Sequence, residues 1–360
     1  MTDLYKDEKQ VVARLELEQK YTGRELGLPD KDLRIYNENP HLREIFCNGQ
    51  TIQMFEGTKF TSEQRCLQTI PSGSEPESST PSQSVYCTTE HWGQRKLILT
   101  EIEFLTKYTA NKPFYVIYAG AAPGWHIQYL SELFPKVNFI LYDEKSFPFP
   151  SNDRIKVRGE PFTEDLARQY YKDLGSDVLF ICDIRSTSEL IRGPKELPDD
   201  MSLQLKLHQA LRPRYSLLYL RISREHKTFR YPEGDLIIEP WSSRKSSECR
   251  LVIEKDAKMT EHRSQDIQNS LNHFQNFTRT LYYPHDMDRV TSEGLDHCYD
   301  CRAEINILGN YLTKIQGMKM DQEILAPIAN LSKKISRKII DKERPSFLNI
   351  DRTLAIVPKK

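Results

Sequence analysis

From residue 91 onward, short apolar runs alternate with segments in which apolar residues recur every three to four positions. The apolar runs, which are rich in β-branched and aromatic residues, predict buried strands, and the periodic segments predict amphipathic helices. Strands are predicted in FYVIYAG, VNFILYD, DRIKVRGEPF, DVLFICDIRS and YSLLYLRIS, and later in LIIEPW and ECRLVIEK. Helices are predicted in QRKLILTEIEFLTKYT, WHIQYLSELF, TEDLARQYYKDL and MSLQLKLHQAL. This alternation predicts an α/β fold, with a mostly parallel sheet and helices on both faces.

The pattern weakens on either side of this region. Residues 1–70 are charged and broken by the turn-like GLPDKD and NENPH, which indicates an N-terminal extension. Residues 71–90 are rich in Ser, Pro and Glu, so we expect a linker or exposed loop that buries little apolar surface. The α/β domain is therefore assigned to residues 91–315. Residues 316–360 form a tail with about twice as many basic as acidic residues.

Composition and cysteine usage limit which partners and which cellular location are expected. The 51 basic and 51 acidic residues cancel, so a surface for a polyanion must be a local patch. No apolar run is long enough to span a bilayer, and no membrane association is expected. The seven cysteines are scattered and odd in number, which favours free thiols and a cytoplasmic location.

The motif DHCYDC places His297 beside a single C-x-x-C pair. A structural zinc site needs four ligands, and no second pair has suitable spacing. We therefore expect Cys298 and Cys301 to be thiols of the hydrophobic core, and we expect no metal.

The stretch YAGAAPGWH leaves the first predicted strand and enters a helix. In parallel sheets, ligands bind beyond the carboxyl ends of the strands. Gly120 lets the backbone turn and approach a ligand, and Gly124 begins the helix without a side chain in the way. The next strand ends at Asp143, which is the usual position of an acid that accepts hydrogen bonds from ribose hydroxyls.

The loop differs from the dinucleotide-binding fingerprint G-x-G-x-x-G. Ala122 stands at its second glycine, and Pro123 has no amide that could bind a pyrophosphate. An adenosyl group without a pyrophosphate indicates S-adenosylmethionine. The alternative is a strand-turn-helix unit that binds no ligand.

The loop GAAPGW is similar to that of FtsJ-type RNA 2'-O-ribose methyltransferases. Between WGQRKLILTEIEFL and LDHCYDCRAEINILGNYL, the chain resembles the poxvirus family of cap-specific mRNA 2'-O-methyltransferases that also serve as poly(A) polymerase regulatory subunits. The resemblance implies a Rossmann-like class I methyltransferase fold. It also implies capped mRNA and a poly(A) polymerase catalytic subunit as partners, in the cytoplasm, a virion or a viral factory.

Methyl transfer from a sulfonium to a ribose hydroxyl requires alignment of the reactants and control of the hydroxyl proton. A lysine beside carboxylates and a second cation can act as a base with a lowered pKa, while the other cation stabilises the alkoxide. The family uses a Lys-Asp-Lys-Glu tetrad for this purpose. Lys96, Asp183 and Glu248 match three of these positions, but Arg221 replaces the second lysine.

The replacement by Arg221 leaves two interpretations open. Arginine keeps its proton at working pH, so it orients a hydroxyl but does not accept its proton. Either Lys96 or Asp183 takes the proton, or the site has decayed and the chain keeps only the fold, cofactor binding or an RNA surface. Each residue taken alone would also fit a solvated lysine or an ordinary ion pair.

The resemblance extends to the residues around the cofactor. In the family, Phe162 would lie against the adenine, although it fits a core position equally well. The implied cofactor pocket contains Tyr118, Gly120, Pro123, Gly124, Asp143, Lys145, Phe162 and Asp183.

Cap recognition is the remaining part of the resemblance. A 7-methylguanine is flat and positively charged, so stacked aromatic rings with a carboxylate at the ring edge suit it. RYPEGD offers Tyr231 and Glu233 in the family's aromatic-x-acid arrangement, unless it is simply a turn. Arg185 and Lys245 are expected to contact RNA phosphates, and the basic tail is either an RNA-facing helix or a solvated one.

The expected function is 2'-O-methylation of the first transcribed nucleotide of m7G-capped mRNA, with S-adenosylmethionine as methyl donor. One alternative is a non-catalytic RNA-binding or processivity subunit of a poly(A) polymerase. The other is an FtsJ-like enzyme that modifies rRNA or tRNA.

Overall fold

The structure is a computed structural model. It describes residues 55, 60–70, 90–175, 177–185, 199–222, 227–242, 248–281, 283–290, 295 and 298–339. The strands are β1 (Phe114–Ala119), β2 (Val137–Tyr142), β3 (Ile155–Arg158), β4 (Val178–Cys182), β5 (Tyr215–Arg221), β6 (Thr228–Pro232), β7 (Asp235–Ile237), β8 (Glu248–Glu254) and β9 (Met259–Arg263). The α-helices are α1 (Glu90–Thr109), α2 (Trp125–Leu133), α3 (Glu164–Leu174), α4 (Asp199–Leu211), α5 (Ser264–Asn276), α6 (Tyr299–Lys314) and α7 (Leu325–Ile339).

The main sheet has seven strands in the order β3-β2-β1-β4-β5-β8-β7. Strands β1 to β5 are parallel, β8 pairs antiparallel with β5, and β7 pairs antiparallel with β8. Alternate residues of β1 fill both faces: Val116 and Tyr118 belong to one hydrophobic cluster, Ile117 and Ala119 to the other. This is the predicted Rossmann-like α/β architecture, and each strand and helix predicted between residues 91 and 255 is confirmed.

A separate two-stranded ribbon of β6 and β9 was not predicted. It pairs Phe229 with His262 directly across the ribbon, and their rings stack with centroids 5.2 Å apart. The sequences TFRYP and MTEHR carry little apolar pattern, and of their residues only Tyr231 and Pro232 are buried.

Residues 60–70 belong to the domain, which corrects their assignment to an N-terminal extension. The buried Arg65 donates to the Glu103 carboxylate at 2.9 Å and to the Tyr299 hydroxyl at 3.0 Å. Its carbonyl accepts a hydrogen bond from the Ile238 amide at 2.9 Å. The segment consists of two short 3-10 turns, so its apolar residues show neither helical nor strand periodicity.

The domain also continues past residue 315, because helix α7 packs into the core. Ile328, Leu331 and Ile335 are buried, while the basic residues of the helix are exposed. The buried Arg95 of α1 donates to the hydroxyls of Ser332 and Ser336 at 2.8 and 2.9 Å. This part of the tail is therefore an amphipathic helix whose basic face is exposed, and residues 340–360 lie outside the described residues.

The expected linker at 71–90 also lies outside them, except for Glu90, where α1 begins. Among the helices that the structure describes, none combines the length and apolarity that a membrane span needs.

Candidate active site

The candidate site lies where the order of strands reverses. From β1 the chain continues to β2 and β3 on one side of the sheet, and then to β4 and β5 on the other. Such a reversal leaves a crevice beyond the carboxyl ends of β1 and β4, where α/β proteins bind ligands. The glycine loop follows β1, Asp143 follows β2 and Asp183 follows β4, so all three border this crevice.

The two loop glycines are required by the backbone itself. Gly120 has φ +77°, and a Cβ there would lie 2.6 Å from the carbonyl carbon of Asp183. Gly124 has φ +62°, and a Cβ there would lie 2.8 Å from the Ala121 oxygen. Only glycine therefore allows this turn and the close approach of the loop to Asp183.

Asp143 braces the same loop. Its Oδ2 accepts a hydrogen bond from the Ala122 amide at 3.0 Å, and its Oδ1 accepts one from the Lys145 amide at 2.9 Å. Carboxylate oxygens have two lone pairs each, so acceptor capacity remains for ribose hydroxyls. Pro123 and the Lys145 side chain are exposed beside the loop.

Two side chains of the predicted cofactor pocket are buried. The buried Tyr118 hydroxyl donates to Glu101 Oε1 at 2.8 Å, and burial together with the Glu101 charge holds the pKa of Tyr118 well above its usual value. Phe162 is buried among aromatic residues, with ring centroids 4.9 Å from Tyr142 and 5.9 Å from Phe180. Phe162 is thus a core residue, the alternative left open by the sequence.

A chain of ion pairs connects Lys96 to Asp183. Lys96 Nζ lies 3.3 Å from Glu239 Oε2, and Glu239 Oε1 accepts a hydrogen bond from Arg250 Nε at 2.9 Å. Arg250 Nη2 then donates to Asp183 Oδ1 at 2.8 Å. The same oxygen accepts a hydrogen bond from Arg185 Nη2 at 3.1 Å. Two predicted catalytic residues are therefore joined by two buried residues that sequence reasoning missed.

Glu239 and Arg250 both remain charged inside the protein. Burial alone would raise the pKa of Glu239, but the charges of Arg250 and Lys96 lower it to about 2. Burial would likewise lower the pKa of Arg250, but Asp183 and Glu239 hold it well above its usual value. Arg250, itself held by Glu239, thereby fixes the position of the Asp183 carboxylate from the buried side of the site.

Arg221 and Glu248 are direct cross-strand partners, at the end of β5 and the start of β8. Because β5 runs parallel to β4, Arg221 lies at the same edge of the sheet as Asp183. Its side chain is exposed. The structure therefore brings all four tetrad positions to the carboxyl end of the sheet.

The predicted cap residues do not form a pocket beside this site. Tyr231 is 0% exposed, and its hydroxyl donates to the Met201 carbonyl at 3.1 Å. In this arrangement the ring of Tyr231 is not available for stacking, because the ribbon packs it against the start of α4. Glu233 precedes Asp235, which pairs with Val252, so Glu233 lies toward the end of β8 remote from Glu248.

The other predicted RNA contacts have different outcomes. Arg185 is 42% exposed, but it turns back to Asp183 instead of extending toward solvent. Lys245 lies outside the described residues.

Cys298 and Cys301 are buried at the start of α6. Cys298 Sγ accepts a hydrogen bond from the Cys301 amide at 3.3 Å, which caps the helix. His297 lies outside the described residues. Within the described ranges, no three His, Cys, Asp or Glu side chains are grouped closely enough to hold a metal ion.

Known proteins provide independent information about the chain. A family model described as "Poly A polymerase regulatory subunit" matches residues 76–339. A cap-specific mRNA (nucleoside-2'-O-)-methyltransferase of Myxoma virus (strain Lausanne) is 31% identical over 183 residues, which cover 45% of this chain and 52% of the relative. The enzyme of the same name from Fowlpox virus (strain NVSL) is 29% identical over 177 residues, 44% of this chain and 57% of the relative.

The chain thus spans about half the length of the curated relatives it matches. Bluetongue virus VP4, described as a multifunctional RNA-capping production line, is 15% identical with a TM-score of 0.39, covering 56% of this chain and 32% of VP4. That similarity is too low to bear on fold or function. The family match instead covers most of the chain, and the chain belongs to the poly(A) polymerase regulatory subunit family.

Proposed function

We propose that this protein methylates the ribose 2'-hydroxyl of the first transcribed nucleotide of m7G-capped mRNA, with S-adenosylmethionine as methyl donor. The observation that carries this proposal is the ion-pair chain from Lys96 to Asp183 at the strand reversal. It holds a carboxylate and an ammonium at the edge of the sheet where Arg221 also lies. The two viral relatives named as cap-specific mRNA methyltransferases support the same activity.

The residues beside the glycine loop fit S-adenosylmethionine. Asp143 follows β2 and keeps lone pairs for ribose hydroxyls, and Gly120 brings the loop against the Asp183 backbone, so both acids border one crevice. Pro123 removes an amide that a pyrophosphate would use, which suits a ligand without one. When bound, the sulfonium supplies an electrophilic methyl group.

Proton transfer from the 2'-hydroxyl is assigned to Asp183. Arg221 keeps its proton, and Lys96 is engaged in an ion pair with the Glu239 carboxylate. The guanidinium groups of Arg185 and Arg250 both bind Asp183 Oδ1. Asp183 Oδ2 receives no hydrogen bond from the part of the chain that the structure describes. Asp183 Oδ2 therefore accepts the hydroxyl proton, while Lys96 and Arg221 stabilise the developing alkoxide.

In this assignment the proton acceptor is a carboxylate, where a lysine at position 221 would offer an amine. We therefore expect a slower methyl transfer than a neutral lysine at position 221 would support. The second candidate function is an RNA-binding processivity subunit of a poly(A) polymerase. The replacement by Arg221 and the family's description both favour it. Under either function the partner is mRNA, and a cytoplasmic site of viral transcription fits the relatives.

The deciding experiment measures transfer of a labelled methyl group to three RNAs of one sequence, bearing an m7G cap, an unmethylated G cap or no cap. The proposal predicts transfer to m7G-capped RNA that is lost in Lys96→Ala. Equal transfer to all three RNAs would instead indicate an FtsJ-like enzyme for structured RNA. No transfer to any RNA, combined with longer tails made by a poly(A) polymerase catalytic subunit when the protein is added, would establish the processivity role.

A further inference from the structure

Tyr219 lies beneath both guanidinium groups that bind Asp183. The Arg185 Cζ is 4.6 Å and the Arg250 Cζ 5.5 Å from the centroid of the Tyr219 ring. Both distances fall within the range of cation–π attraction. Tyr219 is 2% exposed and the Arg250 side chain is also 2% exposed, so the attraction between these two acts away from water. The Arg185 guanidinium lies on the solvent side of the same ring, since its side chain is 42% exposed.

The side chain of Gln204 holds the backbone of Tyr219 at the point where the neighbouring strand β4 ends. The last pair between β4 and β5 is Cys182 with Leu218, although β5 continues to Arg221. At the next residue, the buried Gln204 accepts a hydrogen bond from the Tyr219 amide at 3.0 Å and donates one to the Tyr219 carbonyl. The carboxamide of Gln204 thus takes the place of a strand and fixes the extension of β5.

Asp183 needs such support because it lies just beyond β4. Its amide donates to the Ala119 carbonyl at 2.9 Å, but the carboxylate has to be oriented by side chains. An exposed Arg185–Asp183 ion pair alone would contribute little. Stacking on Tyr219 fixes the plane of the Arg185 guanidinium, so both of its hydrogen bonds to Asp183 Oδ1, at 3.1 and 3.2 Å, are pre-oriented.

We propose that Tyr219 and Arg185 are positioning residues that orient the Asp183 carboxylate, and that Arg185 acts through this carboxylate instead of binding RNA phosphate. The inference rests on the proposed function for its kinetic consequence. Both guanidinium groups bind Oδ1, so the stacked arrangement leaves Oδ2 for the substrate hydroxyl in the proposed reaction. A misplacement of about 1 Å at such a group costs about 100-fold in rate.

The kinetic test uses Arg185→Lys, which keeps the charge but loses the planar stack and the forked hydrogen bonds. We expect kcat for m7G-capped RNA to fall about 10- to 100-fold, with KM for RNA within about threefold. Tyr219→Leu gives the same pattern, and Tyr219→Phe, which keeps the ring, recovers most of the lost rate. Arg212→Lys is the matched control: Arg212 stacks on Tyr171 at 5.7 Å and pairs with Asp256, both away from the site.

An RNA contact would give a different result and would overturn the proposal. Arg185→Ala would then raise KM for RNA and reduce the slope of log affinity against log salt concentration by about 1. Arg185→Lys would preserve kcat. A second readout needs no activity. The Hε resonance of Arg185, observed with labelled arginine, is expected upfield because of the Tyr219 ring current, and this shift disappears in Tyr219→Leu but persists in Tyr219→Phe.

The two readouts separate the inference from the proposed function. Absence of the ring-current shift in the wild-type protein overturns the stack, whatever the activity. Absence of methyl transfer by the wild type together with a normal shift overturns the proposed function and leaves the stack established.

Discussion

Arg250 donates a hydrogen bond to Glu239 over 2.9 Å, and both side chains are buried beneath the candidate site. Glu239→Gln keeps the shape of the side chain but removes the charge that compensates Arg250 and Lys96. We expect this change to lower the free energy of unfolding by about 3 kcal/mol at pH 7, as urea denaturation would measure. Glu164→Gln, in an exposed ion pair with Arg168, is the control and should cost less than about 1 kcal/mol.

The same pair predicts a pH dependence. The pKa of Glu239 is lowered from 4.5 to about 2 in the folded protein. Its contribution to stability is therefore complete above pH 4.5 and is lost as the pH falls toward 2. The difference in unfolding free energy between wild type and Glu239→Gln should shrink over this interval, and a difference that stays constant there would contradict the buried ion pair.

Gly120→Ala tests the approach of the glycine loop to Asp183. The added Cβ would meet the Asp183 backbone at 2.6 Å, and φ +77° is unfavourable for alanine. We expect a marked loss of S-adenosylmethionine affinity, measured by calorimetry, together with lower thermal stability.

Gly175→Ala separates backbone strain from this clash. Gly175 has φ +65°, but its Cβ would meet nothing within 4 Å. That variant should lose about 1–3 kcal/mol of stability and retain cofactor affinity. Equal effects of the two variants on cofactor affinity would show that the loop's approach to Asp183 is unimportant for binding.

Tyr231→Leu tests whether this ring contributes to cap recognition. Because Tyr231 is buried and bonded to Met201, we expect lower stability but an unchanged ratio of Kd values for m7G-capped and unmethylated-cap dinucleotides. Fluorescence titration gives both constants. A selective loss of m7G affinity would restore Tyr231 to a cap pocket.

The central sheet and the glycine loop were predictable because buried parallel strands read as continuous apolar runs between amphipathic helices. Glu239 and Arg250 were missed although a signal existed: each is a charged residue inside an apolar strand-like run, LIIEPW and ECRLVIEK. A charge in such a run requires a buried partner. Which partner it finds depends on pairing across the sheet, which local sequence does not encode.

Tyr231 illustrates a different limit. Its Tyr-Pro-Glu context indicates a turn and matches the family's cap motif, but the face that a strand residue presents depends on the register of β6 with β9. Helix α7, by contrast, was recognisable from Ile328, Leu331 and Ile335, which follow helical spacing. Its basic residues lie on the solvated face, opposite the buried one.

The central claim is that Asp183 accepts the proton of the ribose hydroxyl, because the neighbouring Arg221 cannot accept it. Single-turnover methyl transfer to m7G-capped RNA by wild type, Asp183→Asn and Arg221→Lys tests it most directly, with S-adenosylmethionine affinity measured on each protein. The account predicts transfer by the wild type and a rate about 100- to 10,000-fold lower in Asp183→Asn, at similar cofactor affinity. A wild type that binds the cofactor but transfers nothing, alongside an active Arg221→Lys, would show that the site has lost its base and would contradict the account.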